Sequence, residues 1–245
     1  MNIIKLNAID STNSYLKKCM VEKQLENYTV VVAKHQTKGR GQIGTIWESD
    51  SGKNLTFSVL IKFFDFEIHR QFYLSMAVAL GVLRTVNTIV NTPTFVKWPN
   101  DILADKDKLV GILIENMLSG KNIKHAVIGI GLNVNQEIFS ENIENVTSLK
   151  KLTNLNFDKD ELLYDIIASI KYYINFIERK DFRALKSLYL AELYKFQIPS
   201  MFEDNSRTVF LGKITGITEE GQLVIELENE KTRKFNLKEI KFASR

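Results

Sequence analysis

The chain has 245 residues, 44% hydrophobic and 25% charged, with a net charge of +4 and a single cysteine, Cys19. This is an ordinary globular composition with enough apolar residues for a core. It excludes an intrachain disulfide, and no run reaches the roughly 18 apolar residues of a membrane span. The histidines, His35, His69 and His125, lack metal-ligand spacing and the lysines form no dense basic block, so neither a zinc site nor a nucleic-acid partner is expected.

In chain order, Met1 to Asn7 is a short mixed segment without the pattern of an export signal, which points to the cytoplasm. Ser11 or Thr12 can cap a helix running through Leu16 and Met20, and Tyr28 to His35 reads as a buried strand. A polar loop from Gln36 to Lys53 precedes a second strand, Asn54 to Phe64, and a substantial helix, Phe72 to Val90. Strands are expected again at Thr94 to Trp98, Asp101 to Leu103, Leu109 to Met117 and Ile123 to Val134. Their connections, Ala104 to Asp107 and Leu118 to Asn122, are too short for a crossover helix, so these neighbours should pair antiparallel. Phe157 to Arg179 and Asp181 to Leu193 read as two further helices with an apolar stripe through Leu162, Ile166, Ile170, Ile174 and Ile177.

Beyond Tyr194 the texture changes to short alternating segments at Thr208 to Ile217, Leu223 to Leu227 and Thr232 to Leu237, suggesting a small β barrel. The expected architecture is α+β: a mainly antiparallel sheet flanked by helices over residues 1–194, then the barrel over 195–245, with the boundary near Lys195. The sheet edges could pair two subunits, so a monomer and a homodimer both fit.

The chemistry concentrates between residues 96 and 115. There Lys97, Asn100, Asp101, Lys108 and Glu115 sit on two apolar runs joined by a turn, and a hairpin would hold these lysines, amide and carboxylates on rigid neighbouring backbone, as a site for anions and a metal requires. Lys97 also reads as a solvated strand lysine, and Glu115 as either a salt-bridge partner or a site carboxylate. Earlier, Gly39-Arg40-Gly41-Gln42-Ile43-Gly44 satisfies a G-x-G-x-x-G pattern after a strand, but no helix starts within it, so a dinucleotide fold fails; Thr45 in place of Lys rules out a phosphate loop. What remains is a flexible loop with Gln36, Lys38, Arg40, Gln42 and Trp47, able to wrap an anion and stack an indole on a flat base, or else a surface loop with an anchoring Trp.

Five motifs in order resemble the biotin protein ligases: Ser11-Thr12-Asn13, Gly39-Arg40-Gly41, Lys97-Trp98-Pro99-Asn100-Asp101, Lys108 with Gly111-Ile112-Leu113, and Gly129-Ile130-Gly131-Leu132-Asn133-Val134-Asn135. The match spans roughly residues 1 to 193, and the tail resembles that family's small C-terminal SH3-like barrel. The resemblance implies a class II synthetase-like catalytic domain. It also implies two steps: biotin and ATP give biotinyl adenylate and pyrophosphate, then biotin passes to a lysine of a biotin carboxyl carrier protein.

By resemblance, Lys108 contacts the reacting carboxylate and phosphate, and Arg40 closes with the loop over biotin and phosphate. Ser11, Thr12 and Gln36 match contacts to the ureido head of biotin, with Asn13, Gly39, Gly41 and Gly111 counted beside them. Gln42, Trp47, Asn100, Asp101 and Asn133 are assigned to the nucleotide side, with Asp101 the candidate Mg2+ ligand. Pro99 is assigned to the strand edge or turn and Trp98 to core packing; Ser11 could also be only a cap, and Gly129 and Gly131 only packing devices. Gln42, Ile43 and Thr45 replace the arginines of many bacterial relatives, which implies weaker hold on the adenylate. The first motif begins at residue 11, so no DNA-reading module of the kind found in bifunctional relatives is expected ahead of it. The rival readings are a lipoate protein ligase and a non-catalytic biotin or adenylate sensor.

Overall fold

A computed structural model describes residues 1–42, 44–141 and 143–243. The first element is a strand the sequence did not suggest: β1 (Ile3–Ile9) lies parallel to β2 (Val30–Gln36), with α1 (Thr12–Glu22) as the crossover between them. Helix α1 starts where expected, yet Ser11 at its N-cap makes no capping bond with its side chain. Then come β3 (Leu55–Lys62), α2 (Gln71–Asn87), β4 (Thr94–Lys97), β5 (Asp101–Ala104), β6 (Asp107–Ser119) and β7 (Asn122–Leu132). The seven strands pair in the order β1-β2-β3-β7-β6-β5-β4, antiparallel throughout except for β1-β2. The short connections of β4 to β7 act as the sequence implies.

A short helix missed in the sequence, α3 (Leu149–Thr153), precedes α4 (Lys159–Glu178) and α5 (Phe182–Ala191). Asp158 caps α4, its carboxylate accepting from the amide of Asp160 at 2.7 Å. The helix buries its isoleucine stripe against α2, each such side chain contributing about 1.5–3 kcal/mol. Gly81 allows the close crossing: a Cβ there would lie 2.7 Å from the Cα of Ile170. α2 is buried almost all round because it lies between sheet and α4, which explains its unbroken run of Ala, Val, Leu and Met.

The tail forms β8 (Ser200–Asp204), β9 (Val209–Ile217), β10 (Leu223–Leu227), β11 (Thr232–Phe235) and β12 (Ile240–Phe242), of which β8 and β12 were not foreseen. These make a five-stranded antiparallel sheet in the order β11-β10-β9-β8-β12. Among the described residues β11 and β12 do not pair, so the expected barrel is a sheet that the ladder leaves open. Its inner face, including Phe202, Ile214, Ile225 and Phe235, joins the same apolar cluster as α2 and α5. The Trp98 indole donates to the carbonyl of Gly221 at 2.9 Å, tying the turn between β4 and β5 to this second sheet. No helix among the described residues is long and apolar enough to cross a membrane.

Candidate functional site

Strand register builds the site. Opposed residues on paired strands present side chains to one face, and one such row runs Thr56 on β3, Gly131 on β7, Gly111 on β6 and Asp101 on β5. The next row is Ser58, Gly129 and Leu113, and the third is Leu60, Val127 and Glu115. Rows one and two therefore expose bare backbone in mid-sheet, while row three lies under α1, where Leu16 packs on Leu60 and Val127. The glycines leave a floor on which other side chains lie closely, Trp47 over Gly111 and Gly131 and Asn13 over Gly129. Above it lies a cavity of about 240 Å³.

One end of the cavity is a cluster of amides and hydroxyls. Gln36 Oε1 accepts from the Thr12 amide at 2.8 Å and the Thr12 hydroxyl at 3.0 Å. Ser58 Oγ lies 2.7 Å from the Thr12 hydroxyl and donates to Asn13 Oδ1 at 2.5 Å. Asn13 Nδ2 donates to Glu115 Oε2 at 2.8 Å. Gly129 makes room for this, since a Cβ there would meet Asn13 Oδ1 at 2.6 Å. Burial opposes the charge on Glu115, but hydrogen bonds from Lys17 and Asn13 and the nearby Lys17 and Arg40 outweigh it and hold the carboxyl below its ordinary range.

The other end is ionic. Lys108 Nζ stands 2.7 Å from Asp101 Oδ1, an ion pair whose direction is not that of a hydrogen bond. The loop between β2 and β3 folds over the floor as a small hairpin, with Gly41 N bonded to Thr45 O, Trp47 N to Gly39 O, and Arg40 opposite Ile46. Ile43, part of the glycine pattern, lies outside the described residues. A Cβ on Gly39 would fall 2.2 Å from the Trp47 carbonyl, which explains that glycine as a hairpin device. The Trp47 indole rests on the floor, 2.3 Å from where a Cβ on Gly131 would be and 2.9 Å from one on Gly111. Lys108 Nζ lies 5.9 Å from the ring centroid, and the indole N–H has no protein partner.

Of the residues singled out in the sequence, the structure brings Ser11, Thr12, Asn13, Gln36, Arg40, Gly41, Gln42, Trp47, Asn100, Asp101, Lys108 and Gly111 to this cavity. Asn133 is separated from them: it is buried, its amide donating to the Thr147 carbonyl at 3.0 Å, because β7 ends against the segment leading into α3. Asn100 lines the wall, but its Nδ2 is bonded to the Ile112 carbonyl at 2.5 Å, so it shapes backbone there. Arg40 is not beside Lys108. Its guanidinium lies 3.2 Å from Glu115 Oε2, whereas the Lys108 side chain runs over Gly111, about 13 Å of extended β6 away from Glu115. Lys97 lines an adjoining cavity of about 560 Å³ with Trp98 and the second sheet.

Thr56, Ser58 and Lys238 are additions. Thr56 and Ser58 carry a faint signal, two small polar residues at period two inside an apolar strand; Lys238, in the turn between β11 and β12, also lines the cavity and has none.

Comparison with known proteins agrees with this geometry. The model of the Biotin/lipoate A/B protein ligase family matches residues 6–133. The bifunctional ligase/repressor BirA of Bacillus spizizenii is 30% identical over 204 residues, covering 82% of this chain and 62% of the relative. The biotin–[acetyl-CoA-carboxylase] ligase of Mycobacterium tuberculosis is 38% identical over 110 residues, 44% of this chain and 40% of that protein. The solved biotin protein ligase from Aquifex aeolicus in complex with biotin and ATP superposes with a TM-score of 0.81 at 28% identity, covering 99% of each chain. The chain thus spans less than two thirds of the bifunctional relatives and nearly all of the Aquifex protein.

Proposed function

The chain belongs to the biotin/lipoate A/B protein ligase family, and on that premise we propose that it joins biotin to ATP and then to an acceptor lysine of a biotin carboxyl carrier domain. The observation that carries the reading is the two-ended cavity, with an amide and hydroxyl cluster at one end of a glycine floor and a lysine at the other. A cyclic urea offers one strong acceptor and two N–H donors. Gln36, whose Oε1 is occupied by Thr12, keeps its Nε2 donor for such an acceptor, and Ser11 and Thr12 supply oxygens for the N–H groups. The dithiolane of lipoate would leave these polar groups without partners, at about 1–3 kcal/mol for each buried one.

In the first step the biotin carboxylate attacks the α-phosphorus of ATP, an O–P bond forms, and pyrophosphate leaves. Two anions meet there, so fixed positive charge in a water-poor cleft lowers the barrier. Lys108 supplies it at the nucleotide end, and Trp47 on the floor keeps water from the mixed anhydride. In the second step the acceptor lysine, as free amine, attacks the carbonyl carbon, an amide forms, and AMP leaves. Among the described residues no three Asp, Glu, His or Cys side chains come together as a metal cage. A magnesium ion would instead be held mainly by phosphates and water, the role of the protein limited to the Asp101 carboxylate, as suits that ion.

The test is pyrophosphate release from ATP with biotin or lipoate, for wild type and Lys108→Ala. Release that requires biotin and falls at least about a hundredfold in the variant, the scale of one lost charge contact in a closed site, is expected. Release with lipoate alone would replace the substrate. Tight biotin binding without release would make the protein a sensor.

A further inference from the structure

Glu115 lies just beyond the cavity wall, in the third row of the floor, and its two oxygens serve three donors. Oε1 accepts from Lys17 Nζ at 2.8 Å; Oε2 accepts from Asn13 Nδ2 at 2.8 Å and from the Arg40 guanidinium at 3.2 Å. The three donors come from different places: Lys17 and Asn13 from α1, Arg40 from the loop hairpin. An ionised carboxylate is an acceptor only, so it fixes which end of the Asn13 amide faces it, leaving Oδ1 for Ser58. At the opposite end of the same cluster the Thr12 backbone amide, a donor only, fixes Gln36 in the same way. Arg40 makes one other side-chain bond, to Ser14 Oγ at 3.2 Å, again on α1.

We propose that Glu115 is a positioning residue, tethering the loop to α1 through Arg40 while orienting the Asn13 amide, so that loop closure and head-group recognition share one carboxylate. The proposal rests on the biotin-ligase reading for its ligand. It assigns Arg40 to holding the hairpin over the head end, where its bonds to Glu115 and Ser14 put it, instead of to the phosphates near Lys108. The hairpin bonds Gly41 N to Thr45 O and Trp47 N to Gly39 O are the part of the loop that the tether secures.

The experiment compares wild type, Glu115→Gln, Arg40→Ala and the double variant by two readouts. The first is hydrogen exchange of the Gly41 and Trp47 amides in protein without ligand. The second is the concentration of biotin and of ATP giving half-maximal pyrophosphate release. Each single variant should speed exchange at both amides about tenfold or more, and the double variant no more than Arg40→Ala, which already cuts the link to Glu115 along with the bond to Ser14. Glu115→Gln should raise half-saturating biotin about tenfold and leave that for ATP within about twofold. Wild-type exchange rates in Glu115→Gln, additive effects in the double variant, or equal weakening of biotin and ATP would each overturn the proposal. If wild type shows no biotin-dependent release, the proposed function falls, and the exchange rates still decide the tether.

Discussion

Gly131→Ala tests whether the indole of Trp47 rests on the sheet as a working part of the site. Gly131 is extended and paired on both sides, so alanine meets no backbone strain, and the strand itself should gain a few tenths of a kcal/mol. The new methyl would fall 2.3 Å from Trp47 Cε2 and 2.5 Å from Cζ2, so the ring must retreat by about 1 Å to restore ordinary contact. An indole buries about 150–250 Å², worth about 4–6 kcal/mol at 25 cal/mol/Å². A retreat of that size forfeits a quarter to a half of the contact on one face, about 0.5–1.5 kcal/mol. Half-saturating biotin and ATP should therefore rise about two- to tenfold, while melting temperature holds or falls by about 1–4 °C, the lost contact matching or exceeding the strand's gain. Because the chain has only two tryptophans, and Trp98 is fixed by Gly221, a red shift of fluorescence emission reports the movement of Trp47. Unchanged emission with wild-type half-saturation would refute the reasoning, since the ring would then not be on the floor.

Three further outcomes follow from single residues. Tyr189 is fully buried with its hydroxyl unpaired, and burial pushes its ionisation far up, so Tyr189→Phe should stabilise by about 1 kcal/mol, or about 2–4 °C in melting temperature; a lower melting temperature would reveal a partner for that hydroxyl. Glu115 is held below its ordinary value of 4.5, so its contribution to stability is complete above that pH and disappears as pH falls through the folded value. Urea unfolding should accordingly show Glu115→Gln less stable than wild type at pH 7 and a gap that shrinks as the pH falls below 4.5; a gap independent of pH would contradict the ion-pair origin. Gln42 lines the cavity, and Gln42→Arg should slow adenylate escape about tenfold or more, the scale of one charge-assisted hydrogen bond; a trapped-adenylate chase with no change would refute it.

What the sequence made legible was chemistry and local period. The lysine, amide and carboxylate of residues 97 to 108, the glycines and the β4 to β7 meander all follow from neighbours a few positions apart. The second sheet was legible in its central strands only, because β8 and β12 are short and their partners are supplied by the fold, as with β1, whose polar alternation acquires meaning only beside β2. The placement of Asn133 was hidden for a related reason: its motif ends a strand, and whether the amide faces the floor or the core depends on where the chain goes next, toward α3.

The same limit explains why the cavity itself could not be read. Its floor is a row drawn from β3, β7, β6 and β5, whose members are paired across sequence distances of about 75 residues in the case of Thr56 and Gly131. A slip of one residue in that pairing would turn every glycine and hydroxyl to the α2 face and put isoleucines under the ligand. The register is therefore the functional determinant, and the apolar alternation that sets it, Ile128 and Ile130 against Ile112 and Ile114, carries no chemistry of its own. Ser58 belongs to that hidden class: ordinary in its own strand, it joins the site only because the pairing places it opposite Gly129, one bond from Asn13. Glu115 does as well, since the three donors that define it come from α1 and the loop, which β6 meets only after the sheet has formed.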